Sequence, residues 1–257
     1  MVTLQYQTYG NAGHPALVLL HGLLGSSTNW SRIGRQLATS YYVLIPDLRN
    51  HGNSPHSDSM TYTEMTQDLI GLLAQERIAR ATLIGHSMGG KLAMRFALLA
   101  PHRVQTLGIV DICPVTYQHT FDHYFDLFAS IDLTHIRRRD DAQQQMMAAG
   151  IDEVMQFFLL QNLRKTQTGW AWRINLAALK AGQPDIARFD APLGYRYDGK
   201  TGVIYGTESD YVLPEYQATL NAYFPNATLH PIADAGHWVH VDQPQQFIQT
   251  LQHFLKT

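Results

Sequence analysis

The 257 residues carry 19 Lys and Arg against 21 Asp and Glu, a formal charge of -2, with 16% charged and 45% hydrophobic residues. That composition supplies one sizeable core; it excludes a disordered chain and a global basic field able to hold nucleic acid. Its one cysteine, Cys113, excludes an internal disulfide, and no apolar run approaches the roughly 20 residues of a membrane span. Met1 to Tyr6 lacks the basic and apolar stretches of a signal peptide, so a cytoplasmic location is expected.

In chain order, Leu17 to His21 reads as a buried strand, Ser27 to Ala38 as a helix and Tyr42 to Pro46 as the next strand. Tyr62 to Ile78 spaces Met65, Leu69, Leu72 and Leu73 as a helix with one buried face. Ala81 to Gly85 is a short strand, Gly89 to Leu99 a helix closed before Pro101, and Thr106 to Asp111 another strand. From about Pro114 to Pro192 strand-like runs disappear in favour of polar, Met-rich and aromatic helical stretches. The rhythm resumes with a strand at Thr201 to Gly206, a helix near Pro214 to Tyr223, a strand near Ala227 to Ile232 and a last helix from Gln243 to Leu255. Such alternation predicts an α/β fold: a mostly parallel sheet flanked by helices. The expected organisation is a core of residues 1–113 and 192–257 and a helical cap of residues 114–191. An insertion after a strand's carboxyl end stands above the crevice where open α/β sheets bind ligands, which makes it a lid.

Gly85-His86-Ser87-Met88-Gly89 fits G-x-S-x-G between a strand and a helix. The tight turn presents the Ser87 hydroxyl above the sheet edge, and glycines at either end avoid clashes in so sharp a bend. His86 points away from Ser87 on such a turn and reads as a packing or supporting group.

The chain resembles the α/β-hydrolase superfamily over nearly its whole length. The resemblance rests on His21-Gly22-Leu23-Leu24-Gly25, Asp47-Leu48-Arg49-Asn50-His51-Gly52-Asn53-Ser54, Gly85 to Lys91, and Ala235-Gly236-His237-Trp238. The Arg-Asn-His-Gly form, Gly-Gly-Lys after the serine and Val110-Asp111-Ile112-Cys113-Pro114 are similar to the YbfF-type bacterial esterases and their eukaryotic relatives. That resemblance implies hydrolysis of short-chain esters and acyl thioesters.

His237, between the last strand and the last helix, is the expected general base; His240 is its rival, deeper toward that helix. The N–H groups of Met88 and Leu23 are the expected oxyanion donors. Many relatives place the acid three residues after the glycine ending the penultimate strand, where this chain has Ser209 and then Asp210. Asp111, ending the strand after the nucleophile helix, is the preferred acid, with Asp210 the alternative and Ser209 a fourth member.

Other features divide between two readings. His119 and His123 share a helix face but lack the base and third ligand of a zinc hydrolase. Arg137, Arg138 and Arg139, with Arg164 and Lys165, form either a solvated face or a site for the phosphates of a carrier such as CoA. Met146, Met147, Phe157, Phe158, Trp170 and Trp172 line an acyl pocket or fill the cap. Cys113 reads as a packed thiol, and Lys91 as structural, paired with an acidic neighbour. The expected function is a serine esterase or thioesterase acting on a small molecule, without metal or cofactor. The alternatives are haloperoxidase, C–C hydrolase or lyase chemistry on the same Ser and His, or a ligand-binding relative without catalysis.

Overall fold

In the computed structural model, which describes residues 1–118, 121–151, 153–191 and 194–257, seven strands form one sheet in the order β1-β3-β2-β4-β5-β8-β9. The first half runs β1 (Tyr6–Tyr9), β2 (Ala16–Leu20), α1 (Ser31–Leu37), β3 (Tyr42–Pro46), α2 (Tyr62–Gln75), β4 (Ala81–His86), α3 (Met88–Leu99) and β5 (Val104–Val110). Then come α4 (Asp122–Ser130), α5 (Arg139–Ala148), α6 (Glu153–Leu160), the strands β6 (Leu163–Thr166) and β7 (Gly169–Trp172), α7 (Leu176–Ala181) and α8 (Gln183–Ala187). The chain closes with β8 (Thr201–Gly206), α9 (Gln217–Tyr223), β9 (Ala227–Ile232), α10 (Val239–Asp242) and α11 (Pro244–Lys256). All neighbours in the sheet are parallel except β1 against β3. Sequence periodicity passes over β1 because Tyr6-Gln7-Thr8-Tyr9 is a half-exposed edge strand without an apolar run. Among the described residues no helix is long and apolar enough to cross a membrane.

Period-two alternation sends each central strand's side chains to both faces. Leu17, Leu19, Val43 and Ile45 join Ile33 and Leu37 of α1 and Phe247 and Leu251 of α11 on one side. Val18, Leu20, Leu44 and Leu83 join Met65 and Leu69 of α2 and Leu92 and Phe96 of α3 on the other. Burial of both faces is why these strands read as continuous apolar runs. Thr61 starts α2 with a capping box, its hydroxyl accepting from Glu64 N–H while the Glu64 side chain returns to the Thr61 backbone.

Arg49, in the loop after β3, meets Asp68 of α2 through Nε at 2.7 Å and Nη2 at 3.0 Å, each side chain only 1% exposed. Removing Asp68 leaves the buried Arg49 with Glu64, 3.2 Å from Nη1, as its remaining acidic partner, a loss of about 3 kcal/mol. Asp68→Ala is therefore expected to lower the melting temperature by about 10 °C for a chain of this size. An unchanged thermal transition would show that the pair contributes nothing to stability.

Between β5 and β8 the expectation of helices alone needs correction. β6 and β7 pair antiparallel, Leu163 opposite Trp172 and Thr166 opposite Gly169. Four-residue strands are too short for periodicity to stand out, and Arg164 and Lys165 look like a charged patch until Trp170 and Trp172 are set beside them. Lys91 also differs from expectation. Its buried ammonium donates to carbonyls at the end of α8, 2.6 Å to Ala187 and 3.3 Å to Arg188, and lies 4.8 Å from the Tyr117 ring. Those carbonyls are ones that a helix end leaves free, so the lysine fastens the inserted segment to α3 without an acid. Desolvation lowers its pKa from the ordinary lysine range to about 7. His119 and Pro192, the expected second boundary, lie outside the described residues.

Candidate active site

Ser87 occupies the step from β4 into α3 with φ 53° and ψ -118°, a region costing a non-glycine residue about 1–3 kcal/mol. The turn is sustained by backbone contact: a Cβ on Gly85 would sit 2.1 Å from the Gly89 carbonyl oxygen, and one on Gly89 2.5 Å from that of Leu20. Ser87 N–H donates to the Val110 carbonyl at 3.0 Å and its own carbonyl accepts from Lys91 at 3.0 Å, tying the turn to β5 and α3. Met88 begins α3, so its N–H is one of those a helix start leaves without an intrahelical partner.

His237 lies on the loop between β9 and α10, and three elements hold it. Its Nδ1 is 2.7 Å from Oδ2 of Asp111, a side chain with no exposed surface. The ring of Tyr211 stacks on it at 3.9 Å, and His86 Nε2 donates to its carbonyl oxygen at 2.9 Å. Asp111, one residue past β5 with φ 51°, also accepts from the Ser209 hydroxyl at 2.5 Å and from Gly206 N–H at 3.0 Å. Three donors therefore fix one carboxyl group, and the ring contact orients the imidazole with a hydrogen on Nδ1 and its Nε2 free for another partner.

Leu23 belongs to the loop after β2, whose position two histidines determine. Leu24 N–H donates to His51 Nε2 and Leu48 N–H to His21 Nε2, each at 3.0 Å. Their Nδ1 atoms face the carbonyls of Arg49 at 2.9 Å and Gly22 at 2.8 Å, so both rings are neutral donors at Nδ1 and acceptors at Nε2. Burial lowers the pKa of each, that of His51 to about 3. From the other side Asn162, just past α6, donates to the Leu24 carbonyl at 2.8 Å. A pocket of about 180 Å³ opens above, with Ser87 and His237 in its wall together with Leu23, Phe121, Phe158 and Trp238.

Residues 17–250 match the Alpha/beta hydrolase family. The chain belongs to the α/β-hydrolase family. Within it, the chain is YbfF-like: it is 36% identical to "Esterase YbfF" of Escherichia coli over 94% of its own length and 92% of that protein's. It is also 38% identical to the "sn-1-specific diacylglycerol lipase ABHD11" of Danio rerio, covering 99% of this chain and 83% of that one. A solved structure of a marine microorganism esterase, 32% identical, superposes with a TM-score of 0.92 over 99% of this chain and 100% of the other.

This α/β hydrolase brings Ser87, His237, Leu23 and Tyr211 to one pocket and Asp111 and Ser209 to the far side of the His237 ring. Asp210 stands exposed and is not what His237 Nδ1 meets. His240 is buried against Trp30, ring centroids 4.8 Å apart, with its pKa lowered to about 4 by desolvation and then by His237. Among the described residues no group of three His, Cys, Asp or Glu is arranged to hold a metal ion. Arg137, Arg138, Arg164 and Lys165 are exposed and lie outside the pocket wall. Of the aromatic and Met candidates Phe158 lines the pocket, while Met146 is core and Met147 is exposed. Cys113 is buried, its thiol pushed up to about 12 by desolvation and by Asp111. Sequence reasoning passed over His51, Asn162 and Tyr211. His51 lies inside the Asp47 to Ser54 motif, where the sequence assigns it no role, while Asn162 and Tyr211 carry no local signal.

Proposed function

We propose that this carboxylic ester hydrolase works through an acyl-enzyme on Ser87, with His237 as general base, Asp111 as the acid that orients it and Ser209 as a fourth member. His237 Nε2 takes the Ser87 proton as the oxygen attacks the ester carbonyl. The N–H groups of Leu23 and Met88 receive the oxyanion, a contribution of roughly 3–4 kcal/mol for each donor. The alcohol leaves with the proton held on His237, and water then attacks the acyl-enzyme through the same base. An acyl thioester presents the same carbonyl, so the reading extends to thioesters; for CoA carriers Arg137 and Arg138 are the guanidiniums proposed to meet phosphate. Residues 114–191 serve as the cap over this chemistry.

The observation that carries the reading is the 2.7 Å contact between Asp111 and His237 in a pocket whose wall includes Ser87. The folded protein is expected to hydrolyse p-nitrophenyl butyrate and to take up one fluorophosphonate per chain, on the peptide containing Ser87. Turnover without labelling of Ser87 would remove the nucleophile assignment; neither turnover nor labelling would remove the reaction.

A further inference from the structure

Three cavities meet at Leu23, which lines all of them. Besides the central pocket there is a small arm bounded by Ser87, Met88, Lys91, Ile112 and Tyr117. Its floor is closed: Lys91 and Ile112 are each 2% exposed, and the Lys91 ammonium is occupied by carbonyls of residues 186–188. Lys91 lies in the first turn of α3 and its N–H donates to the Ser87 carbonyl at 3.0 Å, so the floor lies one helical turn from the hydroxyl-bearing residue. The other, larger arm runs past Trp30, Phe158, Trp238 and His240. Two of its lining residues, Phe157 at 69% and Val241 at 57% exposure, form an apolar rim at the surface.

We infer that the ester binds in one direction, with a short acyl group in the closed arm and an apolar alcohol chain in the open one. The inference rests on the proposed acyl-enzyme chemistry, because the departing oxygen must receive its proton from His237. The open arm is built from the residues that follow His237, namely Trp238, His240 and Val241, and from His86, whose ring lies 4.7 Å from that of His237. The acyl group stays on Ser87, on the side of Met88, Lys91 and Ile112. A growing acyl chain meets the Lys91 floor within a few carbons, whereas a growing alcohol chain continues between Phe157 and Val241 toward solvent. The substrate class is therefore short-acyl esters of longer apolar alcohols.

Octyl butanoate and butyl octanoate are isomers with one ester bond each, so comparing them isolates direction. Each fully buried methylene strengthens binding about fourfold, and four half-buried ones amount to about tenfold. The wild type is expected to favour octyl butanoate over butyl octanoate by about tenfold in kcat/KM. Val241→Trp, at an exposed position that does not test folding, narrows the open arm. It is expected to reduce the ratio of octyl butanoate to ethyl butanoate turnover about tenfold. Equal or reversed preference between the isomers, or an unchanged ratio in the variant, overturns the orientation. Those results come from an active enzyme, whereas an inactive and unlabelled one would instead defeat the acyl-enzyme reading itself.

Discussion

Ser87→Ala is expected to lower kcat by about 10⁶, and Asp111→Asn by about 10⁴, while Asp210→Asn stays within about twofold of the wild type. The first number reflects a nucleophile and base that act as one unit. The second reflects tautomer control: Asp111 Oδ2, 2.7 Å from His237 Nδ1, holds the ring hydrogen on the side away from Ser87. An amide in its place can turn its NH₂ toward the ring and favour the opposite tautomer, which leaves no free base at Nε2. Ser209→Ala removes one of three donors to Asp111 and leaves the ring contact, so a smaller loss, about tenfold, is expected. Initial rates on a chromogenic butyrate ester, with circular dichroism to verify folding, check the series. If Asp210→Asn proved as damaging as Asp111→Asn, the assignment of the acid would be wrong.

Acidification is expected to unfold the protein in a window opened by buried histidines. His21, His51, His86 and His240 are buried, and desolvation lowers all four pKa values, to about 3 for His51 and about 4 for His240. The unfolded imidazole titrates near 6.5, so below that pH the unfolded chain binds protons that the folded chain refuses. Stability is complete above pH 6.5 and is lost as pH falls through the region between 6.5 and 3. At pH 5 His51 and His240 each cost about 2 kcal/mol, a large share of the stability of an ordinary domain, and the lowered pKa values of His21 and His86 add to the loss. Thermal midpoints measured at pH 8, 6.5 and 5 should fall steeply over the last interval. His51→Gln, which keeps an acceptor and a donor without titrating, should flatten the fall. A midpoint independent of pH down to 5 would refute this account.

These two results draw on different levels of the molecule. The parallel sheet and its helices were readable in the chain because buried strands need apolar runs and amphipathic helices need the Met65, Leu69, Leu72 spacing. Ser87 and His237 were readable because they stand in short local motifs, and the turn at Ser87 needs glycine at Gly85 and Gly89. What escaped has no local cause. The hairpin β6–β7 and the edge strand β1 are stabilised by pairing with partners elsewhere, and four residues carry too little pattern to announce it. The contest between Asp111 and Asp210 turned on which carboxyl group a ring 126 residues from Asp111 would meet. Asn162 reaches Leu24 across 138 residues, and Lys91 found carbonyls where an acid was expected. Composition, periodicity and motif thus determined the scaffold and pointed to the proposed reacting pair, since those depend on near neighbours along the chain. Only the tertiary structure decided which carboxyl group, which amide and which cavity lie beside them, since a hydrogen bond depends on distance through space.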